Sequence, residues 1–83
     1  MHDKILAILK DLQPSYSFEK NKNFITAGYL DSFDIVQLVA MLEEQFSVII
    51  SALDIVPENF ASIESISNLV AKSAKRSLSN NES

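Results

Sequence analysis

Cysteine is absent from this chain of 83 residues, which excludes disulfide frameworks, zinc-thiolate centres and a cysteine nucleophile. Glycine occurs once and proline twice, too few for a turn-rich β architecture, and one glycine cannot build a glycine-rich phosphate loop. His2 is the only histidine. It has no second imidazole with which to share a metal, and it lies beside the chain terminus. No apolar run approaches the about 20 residues of a membrane-spanning helix. The N-terminal MHDKILAILKDLQP is broken by Asp3, Lys4, Lys10 and Asp11 and offers no convincing cleavage site.

Lysine and arginine are missing between Asp31 and Ala71, where seven acids stand: Asp31, Asp34, Glu43, Glu44, Asp54, Glu58 and Glu64. The remaining chain carries four acids and seven bases. Such segregation predicts a negative face that repels nucleic acid and steers toward basic patches on proteins. The competing reading is that the acids simply solubilise a helical surface.

What is present favours helices around one core. Apolar residues make up 47% of the chain, enough for a single domain that buries about 60 to 65% of its unfolded surface. Ile5, Ile8, Leu9 and Leu12 recur at helical spacing from about Asp3, Pro14 ends the segment, and Asp3 and Lys10 stand in the order that the helix dipole favours. Residues 13–31 show no period. A connection of 19 residues needs anchors, and Tyr16, Phe18, Phe24, Ile25 and Leu30 can supply them, with Gly28 at a backbone conformation that other residues resist.

A second helix is predicted from Ser32 to Phe46, with Asp31 as N-cap, Asp34 in its first turn, and Ile35, Leu38, Val39, Leu42 and Phe46 as its core stripe. Phe33, Val36 and Ala40 fall on another sector, beside Gln37 and Glu44, apolar at its centre and polar at its margins as a docking surface is. Residues 47–56 read as a loop with apolar anchors, although VII followed by Leu53, Ile55 and Val56 is also compatible with a short buried strand. Pro57 suits the start of a short helical turn, PENFA, with Phe60 inward. A last helix starts at Ser62 with Ile63, Ile66, Leu69 and Val70 as its inner face. SLSNNES, from Ser77, reads as a disordered polar tail.

The chemistry centres on Ser32, within GYLDSFD at residues 28–34. One reading makes this D-S pair only a helix cap. In the other, Asp31 caps and Ser32 moves to the first helical position, its hydroxyl facing water beside unpaired N–H groups that tolerate a phosphodiester. A serine that attacks substrates itself needs an adjacent base and an oxyanion pocket, and neither is apparent. Glu43 and Glu44 read as a solvated helix edge, since adjacent residues point in different directions. Phe33 suits either packing or partner contact.

These residues resemble the acyl and peptidyl carrier proteins. The resemblance runs from about Ile5 to Ala71 and rests on GYLDSFD, the LxxxLEEQF pattern at Leu38 to Phe46, then PENF and a last amphipathic helix. It implies an all-α fold, a four-helix bundle with a long loop between helices 1 and 2 and a short third helix, in a carrier domain over residues 1–76 with a tail over 77–83. It implies that Ser32, beside Asp31, receives 4′-phosphopantetheine from coenzyme A through a separate phosphopantetheinyl transferase. The terminal thiol then holds acyl or aminoacyl cargo as a thioester, and the chain itself is not an enzyme.

The recognition surface so implied comprises Asp31, Phe33, Asp34, Val36, Gln37 and Glu44. Partners are a loading ligase or acyltransferase and downstream biosynthetic enzymes, and a long acyl chain folds inward between the second and third helices. A soluble cytoplasmic monomer is expected, without nucleic-acid binding or membrane insertion. Three departures stand out: Phe33 in place of leucine, Gln37 where an acid is frequent, and Ala40 where a larger apolar residue is frequent. They point away from housekeeping fatty acid synthesis, and PENF and Phe33 look closer to stand-alone D-alanyl or aminoacyl carriers and carriers of specialised pathways. The rival from another class is a helical adaptor, never pantetheinylated, that uses Phe33 and Val36 for protein contact.

Overall fold

The computed structural model describes residues 1–19 and 22–80, with side chains as far as residue 76. Among these residues three α-helices form, α1 (His2–Leu12), α2 (Ser32–Phe46) and α3 (Ile63–Asn80), together with 3-10 turns at Ala52–Asp54 and Pro57–Phe60. No strand occurs among the described residues. Helix α1 packs against both α2 and α3, and the turn Pro57–Phe60 touches α3 and α2.

Of the four helices expected, three form among the described residues, and the short third one is a 3-10 turn. PENF closes only a 3-10 turn, with Pro57 at its start and the Asn59 N–H bonded to the Val56 carbonyl at 3.0 Å. That spacing of three is the 3-10 pattern, and four residues are too few to propagate an α-helix. At the other end, α3 continues to Asn80, into the segment expected to be a polar tail. No glycine or proline follows Pro57 to stop it. Residues 81–83 of that segment lie outside the described residues.

The predicted stripes form the core. Ile5, Ile8 and Leu9 meet Ile35, Leu38, Val39 and Leu42, and Ile63, Ile66, Leu69 and Val70 complete the interior. Each such side chain contributes about 1.5–3 kcal/mol by leaving water. Leu12 and Phe46 are half-buried and pack on the margin. Helix α2 has no base in its own last turn, where the dipole favours one. Lys4 of α1 supplies it, donating to the Gln45 carbonyl at 3.2 Å with its Nζ 5.1 Å from the centroid of the Phe46 ring.

The long loop is held as its aromatics predict. Phe18, Phe24 and Leu30 are buried and Ile25 half-buried, while Tyr16 remains exposed and stacks on Tyr29 with centroids 4.3 Å apart. Phe18 meets Phe24 edge-on at 4.9 Å. Each such pair adds about 0.5–1.5 kcal/mol beyond its area. The Phe24 N–H donates to the Ala61 carbonyl at 2.7 Å, tying the loop to the start of α3. Gly28 has φ +77°, and a Cβ there would meet nothing within 4 Å. Glycine is therefore favoured at this turn by its backbone angle and not by crowding.

The connection from α2 to α3 differs from expectation in detail. Ser47 leaves the helix in the left-handed conformation, φ 53°, and the chain then alternates. Val48 and Ile50 are buried, whereas Ile49 is 75% and Leu53 89% exposed. The apolar run is thus only half an anchor, because an extended segment turns successive side chains to opposite faces. Glu43, expected on a solvated edge, instead turns its Oε2 to accept from the Ile50 N–H at 2.9 Å.

Candidate functional site

Helix α2 begins in a closed capping box. Asp31 has an extended backbone, its Oδ1 accepts from the Asp34 N–H at 2.9 Å, and the Asp31 N–H donates to Asp34 Oδ2 at 3.2 Å. Two orphan N–H groups are satisfied reciprocally, with each carboxylate directed at backbone. Both sequence readings of this D-S pair required a cap, and the cap is Asp31. Ser32 is therefore the first helical residue, it is exposed, and no described group bonds its hydroxyl. The N–H groups of Ser32 and Phe33 likewise have no carbonyl or side-chain acceptor among the described residues, as the first turn of a helix requires.

The outward sector of α2 is where helical spacing puts it. Phe33 is 71% and Val36 66% exposed, and Gln37, Ala40 and Glu44 are exposed with them. Phe33 is not among the residues packed against the core. At 1.5 Å per residue the stripe from Phe33 to Glu44 extends about 16 Å along the helix axis. Ser32 and Asp31 lie at one end of this stripe. Asp34 is half-buried, held by the box.

The electrostatics are less one-sided than the sequence order suggests. Of the seven acids between residues 31 and 71, Glu43 is turned to the Ile50 N–H, and Asp54 is only 9% exposed. Asp54 accepts from Arg76 Nη1 at 2.9 Å and from Lys72 Nζ at 3.1 Å. Its carboxyl lies below the usual carboxylate range, chiefly through the Arg76 hydrogen bond and then that of Lys72, against an upward push from burial. The exposed acids are Asp31, Glu44, Glu58 and Glu64. Sequence reasoning missed the Asp54 cluster because its partners lie 18 and 22 residues away, and no local pattern pairs them.

The geometry at Ser32 is that of an accessible hydroxyl on a rigid helix start, with two free backbone donors beside it and an apolar strip running away from it. Such an arrangement can accept a covalent phosphate group and show it to a protein partner. Among the described residues no hydrogen bond joins Ser32 to His2, the one histidine, which lies on α1. No described helix is long and apolar enough to cross a membrane. A family model described as phosphopantetheine attachment site matches residues 3–71. No curated protein and no solved structure matches the chain.

Proposed function

This chain belongs to the phosphopantetheine attachment site family, and from that premise we propose that Ser32 bears the arm and that the cargo on it is acyl or aminoacyl. Domains of this family are carriers that hold 4′-phosphopantetheine covalently and catalyse nothing themselves. The observation that carries the assignment to Ser32 is the division of labour at the start of α2. Asp31 does the capping, so the serine hydroxyl is left unbonded and exposed.

The residues present fit the group. On loading by a transferase the Ser32 hydroxyl would give up its proton and its oxygen would bond the pantetheine-bearing phosphorus of coenzyme A, as the pyrophosphate P–O bond breaks and adenosine 3′,5′-bisphosphate leaves. The free N–H groups of Ser32 and Phe33 would help to hold the charge so introduced, at the positive end of the helix. The group supplies a terminal thiol, which holds cargo as a thioester in a chain that has no cysteine of its own. Asp31, Phe33, Asp34, Val36, Gln37 and Glu44 form the contact for the transferase, for a loading ligase or acyltransferase, and for downstream enzymes. Weak electrostatic docking there permits exchange between partners, so loading slows as salt rises. Phe33 and PENF together favour a D-alanyl or aminoacyl carrier, or one of a specialised pathway, acting as a monomer in the cytoplasm.

The test is intact mass after incubation with coenzyme A and a broad-specificity phosphopantetheinyl transferase. A gain of one phosphopantetheine, abolished in Ser32→Ala, is expected. An unchanged wild-type mass would overturn the assignment and favour the adaptor reading.

A further inference from the structure

The segment from Ser47 to Val56 leaves the end of α2, where the Val48 N–H still donates to the Glu43 carbonyl at 3.2 Å, and beyond that root two side-chain ties join it to the helices among the described residues. One is the Ile50 N–H to Glu43 Oε2, at 2.9 Å. The other is Asp54, whose carboxylate takes Lys72 Nζ and Arg76 Nη1 from successive turns of α3. The remaining bonds are local: the Asp54 N–H to the Ser51 carbonyl at 2.9 Å, the Ile55 N–H to the Ala52 carbonyl at 3.2 Å, the Leu53 N–H to Ser51 Oγ at 3.3 Å, the Val56 N–H to the Asp54 carbonyl at 3.0 Å, and the Asn59 N–H to the Val56 carbonyl at 3.0 Å. Asp54 also holds the next turn, because its carbonyl accepts from Asn59 Nδ2 at 2.7 Å. One residue thus joins both 3-10 turns to the third helix.

We propose that Asp54, Lys72 and Arg76 are a latch that holds residues 47–60 on the core as a strap, and that releasing it lets the strap lift as a unit while the three helices stay packed. Lifting exposes the inward side chains Val48, Ile50 and Phe60. Ile49 and Leu53 are in water already. Such an opening is local, of the kind that a fold undergoes short of global unfolding. The carboxylate is recessed, but Lys72 and Arg76 remain partly open to solvent. Dissolved anions therefore reach the cations and compete for them. The charged groups facing Asp54 are these two from α3, and the second turn contributes the neutral Asn59. On the carrier reading the opening exposes the seam that the turn Pro57–Phe60 covers between α2 and α3.

Native-state hydrogen exchange on the unmodified chain tests the latch without requiring that reading. The reporters are the amides of Ile50, Asp54, Val56 and Asn59 in the strap, against those of Leu9 and Leu42 in the helices. Asp54→Asn and, separately, Arg76→Gln are expected to speed the strap amides by about tenfold or more, the scale of losing a charge-assisted hydrogen bond. Leu9 and Leu42 should change by less than about twofold, as expected for openings confined to the strap. Equal acceleration of both sets, which marks a merely global loss of stability, would overturn the proposal, as would no change in either. Arg76→Gln leaves Asp54 paired with Lys72, so it supplies the comparison if Asp54→Asn does not fold. A failed latch leaves attachment at Ser32 untouched, and an unloaded Ser32 leaves the exchange result standing.

Discussion

Replacing Asp31 by alanine removes the side chain that closes the start of α2 and leaves Ser32 free. The bond from the Asp34 N–H to Asp31 Oδ1, at 2.9 Å, is lost outright. The return bond at 3.2 Å uses the Asp31 backbone and can persist. Loss of a cap costs about 1 kcal/mol, within a range of about 0.5–2. At about 2.1 cal/mol/K per residue, a chain of 83 residues unfolds with an entropy near 0.17 kcal/mol/K, so Tm should fall by about 6 °C. Asparagine keeps an acceptor in the same place, and Asp31→Asn should melt within about 2 °C of the parent. Far-UV dichroism gives both melts. The initial rate of phosphopantetheine transfer then separates capping from recognition: Asp31→Asn, folded but uncharged, should load about tenfold more slowly if the carboxylate is read by the transferase. A melt for Asp31→Ala within a degree of wild type, or an asparagine variant as unstable as the alanine one, would refute the capping argument.

Phe60 is fully buried, so Phe60→Ala should lower stability by about 3–5 kcal/mol in urea titration; a loss under about 1 kcal/mol would show that the turn is dispensable to the core. Phe33→Ala removes an exposed ring, and its melt should match the parent while its loading rate falls; a large drop in Tm would mean that the ring packs after all. Asp54 titrates below an unfolded carboxylate, whose pKa is about 3.9. Its pairing therefore stabilises the fold fully above that pH, and the contribution is lost as pH falls through the lower folded value. Urea midpoints of wild type and Asp54→Asn should differ at neutral pH and converge below about pH 4, and a gap that persists in acid would contradict the pairing.

Local signals were legible. The bounds of α2 and its Asp31 cap follow from a D-S-x-D start and a helical stripe, and both come from residues within four positions of one another. The inner face of α3 and the buried Phe18, Phe24 and Leu30 follow from the same kind of pattern. What the chain order hides is tertiary. Glu43 looks solvated until the connection folds back to offer it the Ile50 N–H, and Asp54 looks like one more surface acid until α3 brings Lys72 and Arg76 beside it. PENF carries helical punctuation, but only its length decides between an α-helix and a 3-10 turn. At the site, the exposure of Phe33, Val36, Gln37 and Glu44 was predictable from helical phase. The pairing of Tyr16 with Tyr29 was not, because no period links two rings across a loop.

That stacked pair has a practical use. The chain contains no tryptophan and only these two tyrosines, and both belong to residues 13–31, lying face to face with an interplanar angle of 10°. Near-ultraviolet dichroism and intrinsic fluorescence from phenol rings thus watch this one crossover, whereas peptide absorption watches the helices. Lys22, whose Nζ donates to the Tyr29 oxygen at 2.9 Å, adds a cation beside the same chromophore. A denaturation followed at both wavelengths will therefore show, with no label attached, whether the crossover peels away before the bundle melts.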